Sequence, residues 1–267
     1  VFLTELCPNL LWKNKEAKMR YFILSIIMVM LFGVSGFALS GDEILQKAED
    51  LLSSFKDTEG TADLILANSD GSGREERSVQ MWMSGKEKRL IKFLSPAGVR
   101  GIGLLVLSDK EMYVYLPAQR RVRRISGAAR NEDFQGTDFS YDEMASYEYT
   151  RDYTAKIISE DDKLYTLELT RKEGSEMRYD KTIMTVRKKD FIPQRLEMYE
   201  GGTLIKVMTM HKVETFEGKY TIPTHVKMEN VQKAHYTEMI LRELKFDQGL
   251  ENKDIFSQRF LGRPPGR

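Results

Sequence analysis

Beyond residue 60 the hydrophobic pattern repeats every second residue, the spacing of a half-buried strand. Val79, Met81 and Met83 alternate with Gln80, and Ile91 and Phe93 flank Lys92, so one face of each strand is dry and the other wet. This pattern predicts strands at 61–68, 76–84, 88–94, 102–108, 111–116, 153–159, 163–171, 178–187, 194–200, 203–216, 220–230 and 235–246. Turn chemistry punctuates them: Asp70-Gly71-Ser72-Gly73, Ser84-Gly85, Asp109-Lys110, Asp161-Asp162, Glu173-Gly174, Gly201-Gly202 and Glu217-Gly218. Short strands at regular spacing without intervening helices predict an antiparallel meander. Open twisted sheets seldom exceed about ten strands without curling, so this one should curl.

Helical spacing governs only the start of the ordered pattern. Ile44, Leu45, Ala48, Leu51, Leu52 and Phe55 share one face, opposite Lys47, Glu49, Asp50 and Lys56, with Asp42 as the expected N-cap. That helix must lie on something apolar. Two irregular stretches break the meander. The first, 95–101, contains Pro96, Gly98 and Gly101; the second, 126–149, is long for a compact domain and is expected to hold a helical turn at 141–147. Loops of that length are usually functional or mobile.

The N-terminal region changes the picture of compartment. Residues 20–40 read as a secretory signal: one basic residue, an apolar run and then small residues, with cleavage expected after Ala38 or Ser40. A retained anchor is the rival reading, but the apolar core at 21–32 is short beside the roughly 20 residues of a membrane span. Met19 is the natural initiator, which makes 1–18 an upstream extension. The domain expectation is therefore an extension at 1–18, a signal at 19–40, one domain at 41–261 and a flexible tail at 262–267. The sole cysteine, Cys7, precedes the signal, so the mature chain has no disulfide, thiol nucleophile, thiolate metal site or lipidation point. An exported, soluble protein, expected to be monomeric and periplasmic, follows.

Charge excludes another class. Residues 1–40 hold Lys13, Lys15, Lys18, Arg20, Glu5 and Glu16, so the 41 basic and 40 acidic residues become 37 and 38 without them. A nucleic-acid binder carries a basic excess, and none exists here.

Candidate chemistry is sparse. His211, His225 and His235 fall on separate predicted strands without ligand spacing, and no G-x-S-x-G or H-E-x-x-H pattern occurs. Carboxylate pairs such as Glu75-Glu76 sit in turns, where solvated charge is the default. No catalytic residue, metal site or cofactor is assigned. Methionine is more informative: of 14, only Met19, Met28 and Met30 leave with the signal, and most of the rest lie on predicted strands. Each alone is ordinary core filling; together, such flexible and polarizable side chains suit a cavity for apolar guests.

Charge is most concentrated at Arg120, Arg121, Arg123, Arg124 and Arg130, with no acid between them. In a strand, Arg121 and Arg123 share one face while Arg120, Val122 and Arg124 share the other. A solvated face is the bland reading. A lipid head group, an acidic partner and the protein's own helix ends are the alternatives that guanidinium chemistry suits.

The run 83–103, then LPAQRRVRRISG (116–127), FQGTDFSYDEM (134–144) and DIFSQRFL (254–261), closely resembles the outer-membrane lipoprotein-sorting, or LolA-like, family over about 41–261. The resemblance implies a half-open antiparallel β-barrel whose concave apolar face is covered by short helices. It also implies a cavity for acyl chains of a lipoprotein or lipid carried across the periplasm, between an inner-membrane transporter and an outer-membrane acceptor. In founding members a strand arginine bonds the closed lid; Arg121 and Arg123 are the candidates here.

The expected fold is thus mainly β: a curled half-barrel of about 11–12 strands, an N-terminal amphipathic helix and short helical lid segments. Leu64, Leu66, Met81, Met83, Ile91, Phe93, Leu105 and Met239 are expected to line the cavity. Arg120, Arg121, Arg123 and Arg124 are expected at the lid or a guest head group. The alternative function is an interaction module that docks to a membrane transporter or envelope complex through the arginine-rich strand.

Overall fold

The computed structural model describes residues 39–265 apart from 53, 146 and 147. The expected extension and signal, residues 39 and 40 excepted, lie outside the described residues. Helix α1 (Gly41–Leu52) opens the fold. Its N-cap is Ser40 rather than Asp42. Ser40 and Glu43 form a capping box: the Glu43 N–H donates to Ser40 Oγ at 3.2 Å, and the Ser40 N–H donates to Glu43 Oε2 at 2.7 Å. Asp42 instead accepts the Ala155 N–H at 2.6 Å. A Cβ on Gly41 would stand 2.3 Å from the Ala155 carbonyl oxygen, so only glycine lets the helix start this close to that backbone.

Thirteen strands follow in one antiparallel sheet. The first six are β1 (Asp57–Asn68), β2 (Glu75–Ser84), β3 (Lys88–Ser95), β4 (Gly103–Ser108), β5 (Glu111–Leu116) and β6 (Arg121–Ile125). The rest are β7 (Tyr153–Glu160), β8 (Leu164–Arg171), β9 (Lys181–Arg187), β10 (Pro193–Glu200), β11 (Thr203–Phe216), β12 (Tyr220–Asn230) and β13 (His235–Phe246). Twelve stand where the alternation places them. The extra one, β6, is the arginine-rich segment itself, held by register with β5 from Met112↔Ile125 to Leu116↔Arg121.

The sheet order is β6-β5-β4-β3-β2-β1-β13-β12-β11-β10-β9-β8-β7. The first and last strands pair in the middle, and β6 and β7 are the two free edges. The sheet curls without closing. The segment 126–152 joins those two edges, so it has to cross from one side of the half-barrel to the other.

The convex face has its own cover. After β13, Asp57 accepts the backbone N–H groups of Gln248 (2.6 Å) and Leu250 (3.0 Å), turning the chain back over the sheet. Leu250, Ile255 and Leu261 then pack on Trp82, Leu90 and Leu105. A Cβ on Gly103 would meet Leu261 at 2.8 Å, which explains a glycine inside β4. Lys92, 2 % exposed, donates to the carbonyls of Phe260 (2.6 Å) and Arg263 (2.8 Å), near the end of the short helix Gln258–Leu261. The beginning of the expected tail is therefore tied to β3.

Burial pushes the Lys92 ammonium down to about 8, with Arg263 adding repulsion. The unfolded chain, near the ordinary value of 10.5, holds this proton over a range where the folded protein releases it. Stability should therefore rise with pH above about 8, by roughly 1–2 kcal/mol before tyrosines ionise. Urea midpoints measured on both sides of that value should show the rise, and Lys92→Met should remove it.

Candidate functional site

The crossing segment 126–152 divides into an anchored part and a roofing part. The anchored part spans the turn Phe134–Gly136 and helix α2 (Tyr141–Ala145). Phe134, fully buried, lies 5.5 Å from the Phe93 ring and 5.3 Å from Tyr141, centroid to centroid. Arg77 of β2 donates to the Gln135 carbonyl at 2.5 Å. Asp138, 2 % exposed, accepts Thr237 Oγ1–H at 2.7 Å and lies 2.7 Å from His235 Nδ1. Lys206 of β11, with no exposed surface, donates to the Asp138 carbonyl at 2.7 Å and to Glu143 at 2.8 Å. Glu143 also accepts the Tyr179 hydroxyl at 2.7 Å. Burial and this carboxylate push the Tyr179 phenol well up.

Helix α2 begins at a second capping box. The Glu143 N–H donates to Ser140 Oγ at 3.1 Å, and the Ser140 N–H to Glu143 Oε2 at 2.6 Å. The motif FQGTDFSYDEM is thus a rivet: an aromatic head, a buried charged hub and a capped helix fix the crossing segment to the sheet.

The rivet fills one half of the concave face, and an apolar chamber occupies the other. Strand positions divide cleanly: Gly60 but not Leu64, Met83 but not Val79, Ile91 but not Phe93, Met208 but not Lys206, and Met239 but not Thr237 line the chamber. Six methionines from four strands (Met81, Met83, Met184, Met208, Met210 and Met239) make much of the wall. Its roof is Leu45 and Ala48 of α1, with Phe139, Met144 and Tyr149 of the crossing segment. Beside it, Phe55, Tyr220 and Phe246 form an aromatic cluster with centroids 4.8–6.0 Å apart. The chamber measures ≈ 140 Å³.

Two buried charged residues stand at its roof. Arg89 of β3, 5 % exposed, donates to the Lys86 carbonyl at 2.9 Å and to the carbonyl of Ala145, the last residue of α2. A cation there also suits the negative end of the helix. Glu49 of α1 accepts the N–H (2.5 Å) and hydroxyl (2.7 Å) of Thr150 in helix α3 (Tyr149–Asp152). Burial pushes the Glu49 carboxyl up, and the Thr150 bonds oppose that. One contact ties the roof to the sheet and the other ties it to α1.

The eight residues expected in the cavity separate into three groups. Met81, Met83, Ile91 and Met239 line the chamber. Leu64, Leu66 and Phe93 are buried at the riveted end. Leu105 packs on the opposite, convex face with Leu90 and Trp82. Arg120 in the turn before β6 and Arg121, Arg123 and Arg124 on that edge strand are exposed, and none lines the chamber. Only Arg130 of that cluster turns inward, donating to Asp142 at 2.7 Å.

Arg89 and Lys206 were missing from the sequence-derived site. Lys206 had a signal: it shares a face with Leu204, Met208 and Met210, and a lysine on a dry face implies a buried partner. Arg89 had none, since its acceptor lies 56 residues away. Among the described residues, no group of three or more His, Cys, Asp or Glu side chains is placed to hold a metal.

A family model described only as "-like: Uncharacterized protein" matches residues 85–263. No curated protein matches the chain by sequence. The fold is similar to a structure described as an outer membrane lipoprotein-sorting protein domain from Vibrio parahaemolyticus, at 26% identity and a TM-score of 0.76, covering 84% of this chain and 98% of that one. It is also similar to a DUF1329 family protein from Desulfovibrio piger, at 24% identity and TM-score 0.76, covering 83% and 97% of the two chains. A LolA superfamily protein from Nitrosomonas europaea shares the fold at 22% identity and TM-score 0.69, covering 84% and 100%.

Proposed function

The chain belongs to the outer-membrane lipoprotein-sorting, or LolA-like, family, and from that premise we propose that it is a soluble periplasmic carrier for acyl chains of a lipoprotein or lipid. It would take those chains into its apolar chamber and move them toward the outer membrane without covalent chemistry. The supporting observation is the chamber itself, walled by methionine and roofed by a segment that polar contacts hold shut. Unbranched thioether side chains repack around guests of varied shape.

Size implies motion. A chamber of ≈ 140 Å³ is comparable to an engineered cavity of about 150 Å³ that accepts one benzene. A full acyl chain needs more room, so α3 and the chain leading to it from the end of α2 must swing out as it enters, while the rivet holds. Each buried CH₂ then contributes about 0.8 kcal/mol, and a few suffice to offset the lost roof contacts. Arg89 is the latch in this reading. Its bond to Ala145 breaks on loading and reforms on release, squeezing the guest out toward the acceptor.

Native extraction followed by lipid mass spectrometry tests the proposal directly, together with uptake of a fluorescent acyl probe. Arg89→Leu should bind the probe and release it about 10–100-fold more slowly, since a hydrogen bond from a charged group is worth roughly 1.5–3 kcal/mol. A protein that copurifies with no lipid and takes up no probe would rule out the carrier.

A second reading is favoured by one observation. The four arginines of the edge strand and its preceding turn are exposed and remote from the chamber lining, as a module docking to a transporter or envelope complex would place them.

A further inference from the structure

Many cations on this surface are matched. Arg74 pairs with Glu76 at 2.8 Å, Arg178 with Glu200 at 3.0 Å, Arg195 with Glu197 at 3.0 Å and Arg242 with Asp63 at 3.1 Å. Unmatched ones elsewhere are scattered, but at the β6 edge they are clustered. Among the described residues, no ion pair involves Arg120, Arg121, Arg123 or Arg124. Arg124 donates to the Lys110 carbonyl at 2.9 Å, a neutral acceptor. Cross-strand neighbours offer no acid either: Arg121 faces Leu116, Arg123 faces Val114 and Arg124 faces Tyr113.

Edge protection does not account for this. A charge or two keeps a free strand edge from pairing with another chain, and here four arginines fall within five residues. Strand geometry sends Arg121 and Arg123 to one face and Arg124 to the other, astride the bare edge of the sheet. The result is a strip of guanidinium groups, and the exposed large hydrophobic residues among the described residues, Ile158 and Val231, lie on other strands or turns and offer no apolar anchor there to select a protein partner. Guanidinium binds phosphate through two parallel hydrogen bonds, and flexible side chains can meet phosphates spread over a plane.

We infer that the β6 edge adsorbs the protein reversibly to an anionic bilayer surface through lipid phosphates. The inference rests on the carrier reading, because a lipid carrier has to approach the membranes it serves. Each arginine near such a surface strengthens partition about five-fold, so four give on the order of several hundred-fold. That attraction is weak per contact and screened by salt, which allows the carrier to leave again.

Sedimentation with vesicles tests it. The protein should partition onto vesicles of phosphatidylglycerol mixed into phosphatidylcholine, but not onto pure phosphatidylcholine. Binding should vanish in ~1 M salt, where the screening length falls to about 3 Å. Replacing all four arginines by glutamine should weaken partition at least ~50-fold while acyl-probe uptake stays unchanged. Replacing them by lysine should preserve most of the binding. Undiminished binding by the glutamine variant overturns the inference, as does equal partition onto pure phosphatidylcholine. A wild-type protein that ignores both vesicles but binds polyglutamate overturns it as well, pointing to an acidic protein partner. Failure of acyl-probe uptake alone sinks the carrier reading and leaves the vesicle result to be judged separately.

Discussion

Lys206→Met is expected to destabilise the protein by about 3–5 kcal/mol, because it strands the Glu143 carboxylate inside the fold. Lys206 has no exposed surface and supplies the counter-charge to Glu143 at 2.8 Å. It also satisfies the Asp138 carbonyl at 2.7 Å. Methionine keeps the volume and the apolar stem but neither the charge nor the donors. Chemical denaturation gives the size of the loss. Adding Glu143→Gln should recover part of it, since the orphaned charge disappears; full additivity of the two changes would show that the pair is not coupled. Hydrogen exchange supplies the spatial test. Protection should fall across 134–145 first, because that part of the crossing segment is riveted by this hub, while the β12–β13 pairing holds. A loss under ~1 kcal/mol, within the range of an ordinary surface pair, would mean that the hub does not anchor the segment.

Filling the chamber should abolish carriage without abolishing the fold. Met81 and Met208 approach it from β2 and β11. Changing both to tryptophan replaces flexible side chains by rigid, larger rings and removes space for roughly four to six CH₂ groups. At about 0.8 kcal/mol each, that is ~3–5 kcal/mol of lost burial, or roughly 10²–10³-fold weaker acyl-probe binding. Overpacking should cost about 1–3 kcal/mol of stability per site, so the variants are compared at a temperature where both stay folded. Titration of the probe measures the effect. If affinity is unchanged while the fold is intact, acyl chains bind elsewhere. The riveted end offers a control: Phe93→Leu lies outside the chamber lining and should leave probe affinity within about three-fold, a difference of under ~1 kcal/mol.

Much of this protein is legible one element at a time. Alternation and turn residues locate twelve strands because each depends on neighbours a few positions away. The capping box Ser40-x-x-Glu43 is equally local, yet the sequence reading places the cap at Asp42, two residues too late. Strand β6 was hidden by composition: a segment of three arginines and two apolar residues reads as solvated charge until β5 supplies its ladder.

The face on which each residue lands was less accessible. In β4, Gly103, Leu104, Leu105 and Val106 are all buried, so no alternation separates inside from outside. Leu105 belongs to the convex face only because the segment after β13 returns to cover it.

By itself, then, the sequence determined the mainly β class, the meander, the amphipathic helix and the methionine supply, since these follow from periodicity and turn chemistry. Tertiary structure decided which half of the concave face stays open and which arginine holds the roof. Those outcomes rest on contacts such as Arg89 with Ala145, 56 residues apart, and Lys206 with Asp138, 68 apart. Joining the two far edges of an uncurled sheet would leave such partners distant. Curling brings them within hydrogen-bond reach, and no local pattern encodes which pairs will meet.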